Sequence, residues 1–236
     1  MTVKLWTSPL SWNCVRVEHV LAEKGIEDVE MIPADLIGGK HKASRRSLNP
    51  KVTEDFREKS LFGRVPLLED GDVVIFESRA IARYLCEKYA AVGPRLIPSE
   101  GTDAGTRGVW EMRLILEAVE FDVHVAPVIS ETIIRPALGK PTDEAVIARH
   151  KPKLLNCLDV LDKALSELPY MGGTEYSLAD ILYMPCMFTA SRCLELFEGR
   201  PNLKRWWDTV SGREAWKRAV KPLDEGYGQV VPGWNK

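Results

Sequence analysis

The run Ser11-Trp12-Asn13-Cys14 has the spacing of a redox C-x-x-C pair with serine in the leading place. A hydroxyl there cannot exchange disulfides. It can cap a helix, or it can donate a hydrogen bond to a thiolate brought in by a ligand and lower that thiol's pKa, at about 1.4 kcal/mol per unit. The surroundings suit both jobs. VKLWT before it reads as a short strand, and Val15, Val17, Val20 and Leu21 after it keep a helical period, so Ser11 falls where unpaired backbone N–H groups favour negative charge. Cap and catalyst both stay open on this fragment. Arg16 lies on the same side of that helix, where it either adds positive potential near the thiolate or holds a carboxylate of another domain.

The remaining cysteines, Cys86, Cys157, Cys186 and Cys193, make with Cys14 an odd and scattered set without local pairs. That pattern fits a reducing compartment and buried small side chains better than a disulfide framework or a zinc site. Ser177-Leu-Ala-Asp180 has the form of a capping box, with Asp where Glu or Gln is usual, and reads as structural. Trp206, Trp207 and Trp216 recur at helical spacing and are expected in a core rather than against a ligand.

The elements that must position these groups come in two kinds. A strand at 3–7, a helix through 21, a strand at 28–32, a loop, two strands joined at Asp70-Gly71 and a helix over 79–89 imply a mixed sheet with packed helices. From about 90 to 106 the chain turns to Gly, Pro and small residues and loses period, as a domain boundary does. Beyond it, 107–138, 142–168, 177–196 and 203–220 all read as helix. With 236 residues, 45% of them hydrophobic and 28% charged, the chain can bury a sizeable core. Its 32 basic and 34 acidic residues leave a net charge of -2, no field to hold nucleic acid or an anionic membrane. The N-terminus lacks a basic stretch followed by an apolar one, and no window approaches the ~18 apolar residues of a spanning helix, so a soluble, unsecreted protein is expected.

The chain resembles the glutathione transferases, and the resemblance runs through both halves. SPLSWNCVRV looks like the catalytic-serine segment of the phi class, His41 and Lys42 match that class's loop pair, and FGRVPLLEDGDVVIFESRAIARYL matches its strand–hairpin–helix block. IIRPALGKPTDEAVI, YSLADILYMP and LFEGRPNLKRWWDTVSGREAW agree in the helical half. The resemblance implies an α/β plus all-α architecture: a thioredoxin-like domain with a mixed four-stranded sheet over 1–90, a linker over 91–106 and an all-helical domain over 107–236. It implies conjugation of the glutathione thiolate to hydrophobic electrophiles in detoxification, with glutathione peroxidase chemistry as a related activity. Ser11 is then the catalytic residue, glutathione is a co-substrate, and no prosthetic group, metal, nucleic acid or membrane is involved. A cytoplasmic homodimer is implied, with the helices from Ser78 and from Arg107 as its surfaces.

Site residues follow the same resemblance. Val65-Pro66 would be a cis bend whose exposed Val65 backbone pairs, strand-like, with the cysteinyl part of glutathione. Ser78 and the N–H groups around it would hold the γ-glutamyl carboxylate while Glu77 accepts from the ammonium. His41 and Lys42 would reach the glycyl carboxylate, and Trp12 would flank the tripeptide. Arg64 stands where the phi pattern has Gln and is expected at the backbone or carboxylate of the ligand. Leu10, Trp12, Phe121 and Val125 are expected around the electrophile.

One stretch departs from the phi pattern. Residues 51–61, KVTEDFREKSL, interrupt what is elsewhere a continuous N-P-F-G, and Lys51, Glu54, Asp55, Arg57, Glu58 and Lys59 are charged. It reads as a solvated extra turn, with a lid over the glutathione site or a dimer contact as the functional alternatives. Two other functions fit the same sequence: a non-catalytic ligand carrier, and a thiol transferase in which Cys14 itself attacks.

Overall fold

The structure, a computed structural model, describes residues 2–34, 56 and 58–234. His41, Lys42 and residues 51–55 and 57 of the insertion lie outside the described residues.

β1 (Val3–Thr7) is buried at four of its five positions because it lies inside the sheet with a strand on each edge. The order is β2-β1-β3-β4. β2 (Val29–Pro33) runs parallel to β1, Val3 facing Val29, while β3 (Leu67–Asp70) is antiparallel to it, Leu5 facing Leu68. β4 (Val73–Phe76) closes the hairpin on β3, and the turn uses Gly71 at φ 62, the left-handed geometry that the Asp70-Gly71 pair announces. α1 (Trp12–Lys24) starts at Ser11, whose Oγ accepts from the Cys14 N–H. It stops at Gly25, which donates back to the Leu21 and Ala22 carbonyls from φ 66. α2 (Ser78–Lys88) packs beside α1, so Val17 and Val20 meet Ile81 and Leu85 over Leu5 and Leu68.

That core does not end with the sheet: Trp110, Leu114, Ile181 and Leu182 of the helical part belong to it. α3 (Ala104–Leu116) begins inside the expected linker, because the Asp103 side chain accepts from the Thr106 N–H at 2.9 Å and caps it there. The helix expected over 107–138 is not uniform. π-helical turns at Glu117–Asp122 and Ser130–Ile134 flank α4 (Val123–Ile129), and a last turn, Arg135–Ala137, ends the rod. α5 (Glu144–Glu167) lies along α4. α6 (Leu178–Ala190) is buried at 12 of 13 positions, as a helix apolar all round must be. The helix expected over 203–220 is two, α7 (Pro201–Ser211) and α8 (Glu214–Val230), because Arg213 turns extended at ψ 135 between them. Trp206 and Trp207 sit on α7 and Trp216 on α8, with Trp206 fully buried as expected of a core residue.

Candidate functional site

A strand end, two helix starts and one π turn meet around a cavity of about 140 Å³. α1 brings Asn13, the β3 approach brings Arg64, Val65 and Pro66, α2 and the residue before it bring Glu77, Ser78 and Arg79, and the first π turn brings Asp122. Val65-Pro66 is cis, as expected. Glu77 precedes α2 at φ 74, ψ 113, a conformation that costs a non-glycine residue roughly 1–3 kcal/mol and recurs where a side chain must be aimed at a ligand. Its side chain caps nothing and stays exposed, while Ser78 is buried at the first position of the helix. The cavity thus sets carboxylates (Glu77, Asp122), guanidinium groups (Arg64, Arg79) and a hydroxyl (Ser78) around the N-termini of two helices. Such a wall suits a small ligand that carries both an ammonium and a carboxylate.

Ser11 is 7% exposed and is not part of that wall; it stands next to it, two residues before Asn13. Its Oγ accepts from Cys14 N at 3.3 Å. Cys14 is fully buried against Trp6, Val65 and Leu67, and burial pushes its thiol up to about 11 against the opposing pull of hydrogen bonds from Ser11 and Thr7. A thiol so placed is neither accessible nor ionised, which removes the basis for Cys14 as nucleophile.

Arg64 lines the cavity with its guanidinium over the Phe62 ring at 5.8 Å, and Ser60 Oγ fixes its backbone, donating to the carbonyl at 3.2 Å and accepting from the N–H at 3.1 Å. Ser60 belongs to the insertion. Phe56 from the same stretch is buried against Trp6, ring centroids 5.2 Å apart, and Lys59 pairs with Glu69 at 2.8 Å. Phe56 and Lys59 thus contact the two central strands of the sheet, β1 and β3.

Arg16 holds interdomain carboxylates. It is wholly buried and donates through Nη2 to Glu117 and to Asp122, each at 2.8 Å, and through Nε to the Leu182 carbonyl at 3.0 Å. Arg79 completes the group on Glu117 and Asp122. Burial pushes the Asp122 carboxyl up, but Arg16 and Arg79 overrule it and hold it below its usual range. The π turn makes this possible. Residues five apart are about 140° around a straight α-helix, whereas i→i+5 bonding stacks them, so Glu117 and Asp122 reach one guanidinium.

The same turn corrects the expected electrophile wall. Phe121 and Val125 are fully buried in the helical core, Phe121 5.1 Å from the Tyr183 ring, and offer no surface to a ligand. Leu10 and Trp12 are half-buried at the junction, where Tyr227 of α8 donates to the Leu10 carbonyl at 3.1 Å. Asn13, Arg79 and Asp122 were not singled out in the sequence. Asn13 and Arg79 each adjoin a residue that was, but nothing local marks Asp122. Among the described residues no group of three or more His, Cys, Asp or Glu side chains is placed to hold a metal, and no described helix is long and apolar enough to cross a membrane.

The family models described as glutathione S-transferase N-terminal domain and C-terminal domain match residues 1–87 and 122–214. "Glutathione S-transferase 3" of Zea mays is 37% identical over 227 residues, 94% of each chain. The crystal structure of glutathione transferase F7 from Populus trichocarpa superposes with a TM-score of 0.83 at 30% identity, covering 94% of this chain and 99% of that one. Glutathione S-transferase I from maize in complex with an atrazine glutathione conjugate gives 0.78 at 26% identity, covering 94% and 98%.

Proposed function

The chain belongs to the glutathione S-transferase family, in its phi-like class, and from that premise we propose that it joins the sulfur of glutathione to hydrophobic electrophiles with Ser11 as the residue that stabilises the thiolate. The observation that carries the reading is the cavity beside Ser11. Glutathione ends in a γ-glutamyl group with one ammonium and one carboxylate; Glu77 and Asp122 suit the first, and Ser78 with the N-terminus of α2 and Arg79 suits the second. With the head anchored there, the cysteinyl part extends along Val65 toward Ser11. Capping α1 occupies a lone pair of the Ser11 hydroxyl and leaves its proton to donate to sulfur. The thiolate then attacks a soft carbon and displaces the leaving group, the chemistry of detoxification. The same thiolate can attack a hydroperoxide oxygen, a second glutathione completing the disulfide.

Two apolar features support a homodimer. Val109, Met112, Ile115, Val119 and Val123 form an exposed stripe along α3, the π turn and the start of α4, and Phe62, Val73 and Val74 are exposed beside the sheet edge. The stripe lies on the helix expected from Arg107, while Arg83 of the helix at Ser78 is paired within the chain to Glu111. Light scattering at twice the monomer mass supports the dimer, and a monomer overturns it.

Ser11→Ala decides the mechanism. Turnover with a chlorinated aromatic acceptor should fall at least about tenfold, one pKa unit of thiolate stabilisation, with retention on immobilised glutathione kept. Unchanged turnover overturns the role of Ser11; binding by the unaltered chain without turnover toward electrophile or peroxide assigns it to ligand carriage.

A further inference from the structure

Asn13 sits between the residues that carry the chemistry, yet neither capping nor nucleophilic attack uses it. It is the second residue of α1 and lines the same cavity as Glu77, Ser78 and Asp122. Its Oδ1 accepts from Arg16 Nη1. A guanidinium has only donors, so the oxygen must be the atom that faces it, and the amide cannot be turned around. Arg16 is itself fixed by Leu182, Glu117 and Asp122 on the helical side. The Nδ2 group makes no hydrogen bond among the described residues, on a side chain that lines the cavity. Solvent meets that donor while the cavity is open, and a ligand carbonyl placed there would take over the bond.

Resting on the reading of the site as one for glutathione, we propose that Asn13 is a further glutathione-binding residue, donating from Nδ2 to the carbonyl oxygen of the γ-glutamyl–cysteinyl amide. The choice of atom follows from place and polarity. The ammonium is a donor and cannot pair with Nδ2. The carboxylate already has Ser78, Arg79 and the start of α2. The amide carbonyl lies along the ligand between the head, at Glu77 and Ser78, and the sulfur, at Ser11; Asn13 lies between the same landmarks, two residues into the helix that Ser11 caps. The buried bonds from α6 and the π turn through Arg16 hold the donor still, which limits the ordering needed on binding.

Asn13→Asp separates this role from a structural one. Aspartate keeps the oxygen that Arg16 needs and removes the donor, whereas Asn13→Ala removes both. Initial rates at varied glutathione and one saturating electrophile, with urea unfolding of each variant, give the readout. For Asn13→Asp the expected result is a KM for glutathione raised about three- to tenfold or more, the value of one neutral hydrogen bond. Stability should stay at the level of the unaltered chain, and kcat at saturation should change less than twofold. Asn13→Ala should raise KM similarly and also lower the unfolding midpoint. A wild-type KM in Asn13→Asp overturns the proposal and leaves the functional reading standing. Failure of the unaltered chain to bind immobilised glutathione overturns both.

Discussion

Ser11 and Cys14 show how one helix turn places two neighbouring groups in different surroundings. The hydroxyl stands at the helix start, 7% exposed, where the helix N-terminus favours an anion placed outside it. The thiol one turn on points into the core of Trp6, Val65 and Leu67, and its pKa, pushed up to about 11 by burial, keeps it protonated. At pH 8 the ionised fraction is then on the order of one in a thousand, so Cys14 should react with iodoacetamide far more slowly than free cysteine. Cys14→Ala should keep conjugation while lowering stability by about 1 kcal/mol or more for the buried volume it removes. Loss of turnover with unchanged stability in that variant would bring the cysteine mechanism back. At this scale the sequence was readable in part because the two positions differ: serine leads the S-x-x-C run and caps the helix, while the cysteine one turn on enters the core.

Among the elements, α6 depends on the side chain of one residue. Asp180 is fully buried and accepts from the Ser177 N–H at 2.9 Å, from the Met171 N–H at 2.8 Å and from Trp206 Nε1 at 2.8 Å, so it caps the helix, fixes the loop before it and orients α7. Asp180→Ala leaves those three buried donors without acceptors and should cost at least about 2 kcal/mol, read as a lower urea midpoint. A loss below half that would mean water replaces the carboxylate. The capping box itself was legible from Ser177 and Asp180, since a cap is a local pattern; the bonds to Met171 and Trp206 were not, since they join segments by tertiary packing. The same division runs through the fold. Alternation and the Asp70-Gly71 pair located the hairpin, but apolar residues three and four apart look alike in α and π turns, so the turn that brings Asp122 to the cavity and encloses Phe121 left no trace in the pattern. The break at Gly212-Arg213 was equally silent, because Arg213 leaves the helix for a partner 190 positions away in the chain, Glu23.

Across the whole molecule, two ion-pair clusters among the described residues join α1 to the helical half, and they should respond differently to acid. Arg16 is locked among buried carboxylates, with burial opposed and outweighed by Glu117 and Asp122, so its charge persists throughout the accessible pH range. The other contact titrates. Arg213 grips Glu23 through two hydrogen bonds of 2.6 and 2.7 Å and lies over the Tyr176 ring, while His19 Nε2 stands 3.3 Å from Glu23. Burial pushes Glu23 up, but Arg213 and His19 overrule it and hold the carboxyl down to about 2; burial holds the His19 imidazole below its usual range. Both groups bind fewer protons folded than unfolded, so their stabilisation is complete above the unfolded values of 6.5 and 4.5 and is lost as pH falls, His19 charging first and Glu23 protonating later. Asp180 runs the other way: burial raises it to about 6, so its contribution is present below 3.8 and lost as pH rises through 6. Between pH 7 and 6.5 the junction is intact, and from pH 4.5 downward Glu23 makes the acid limb steep. Glu23→Gln keeps the size and gives up the charge, so its urea midpoint should lie below that of the unaltered chain at pH 7 and converge with it toward pH 2. Parallel midpoint curves for the two proteins over that range would place the acid sensitivity elsewhere than at the α1–α8 junction.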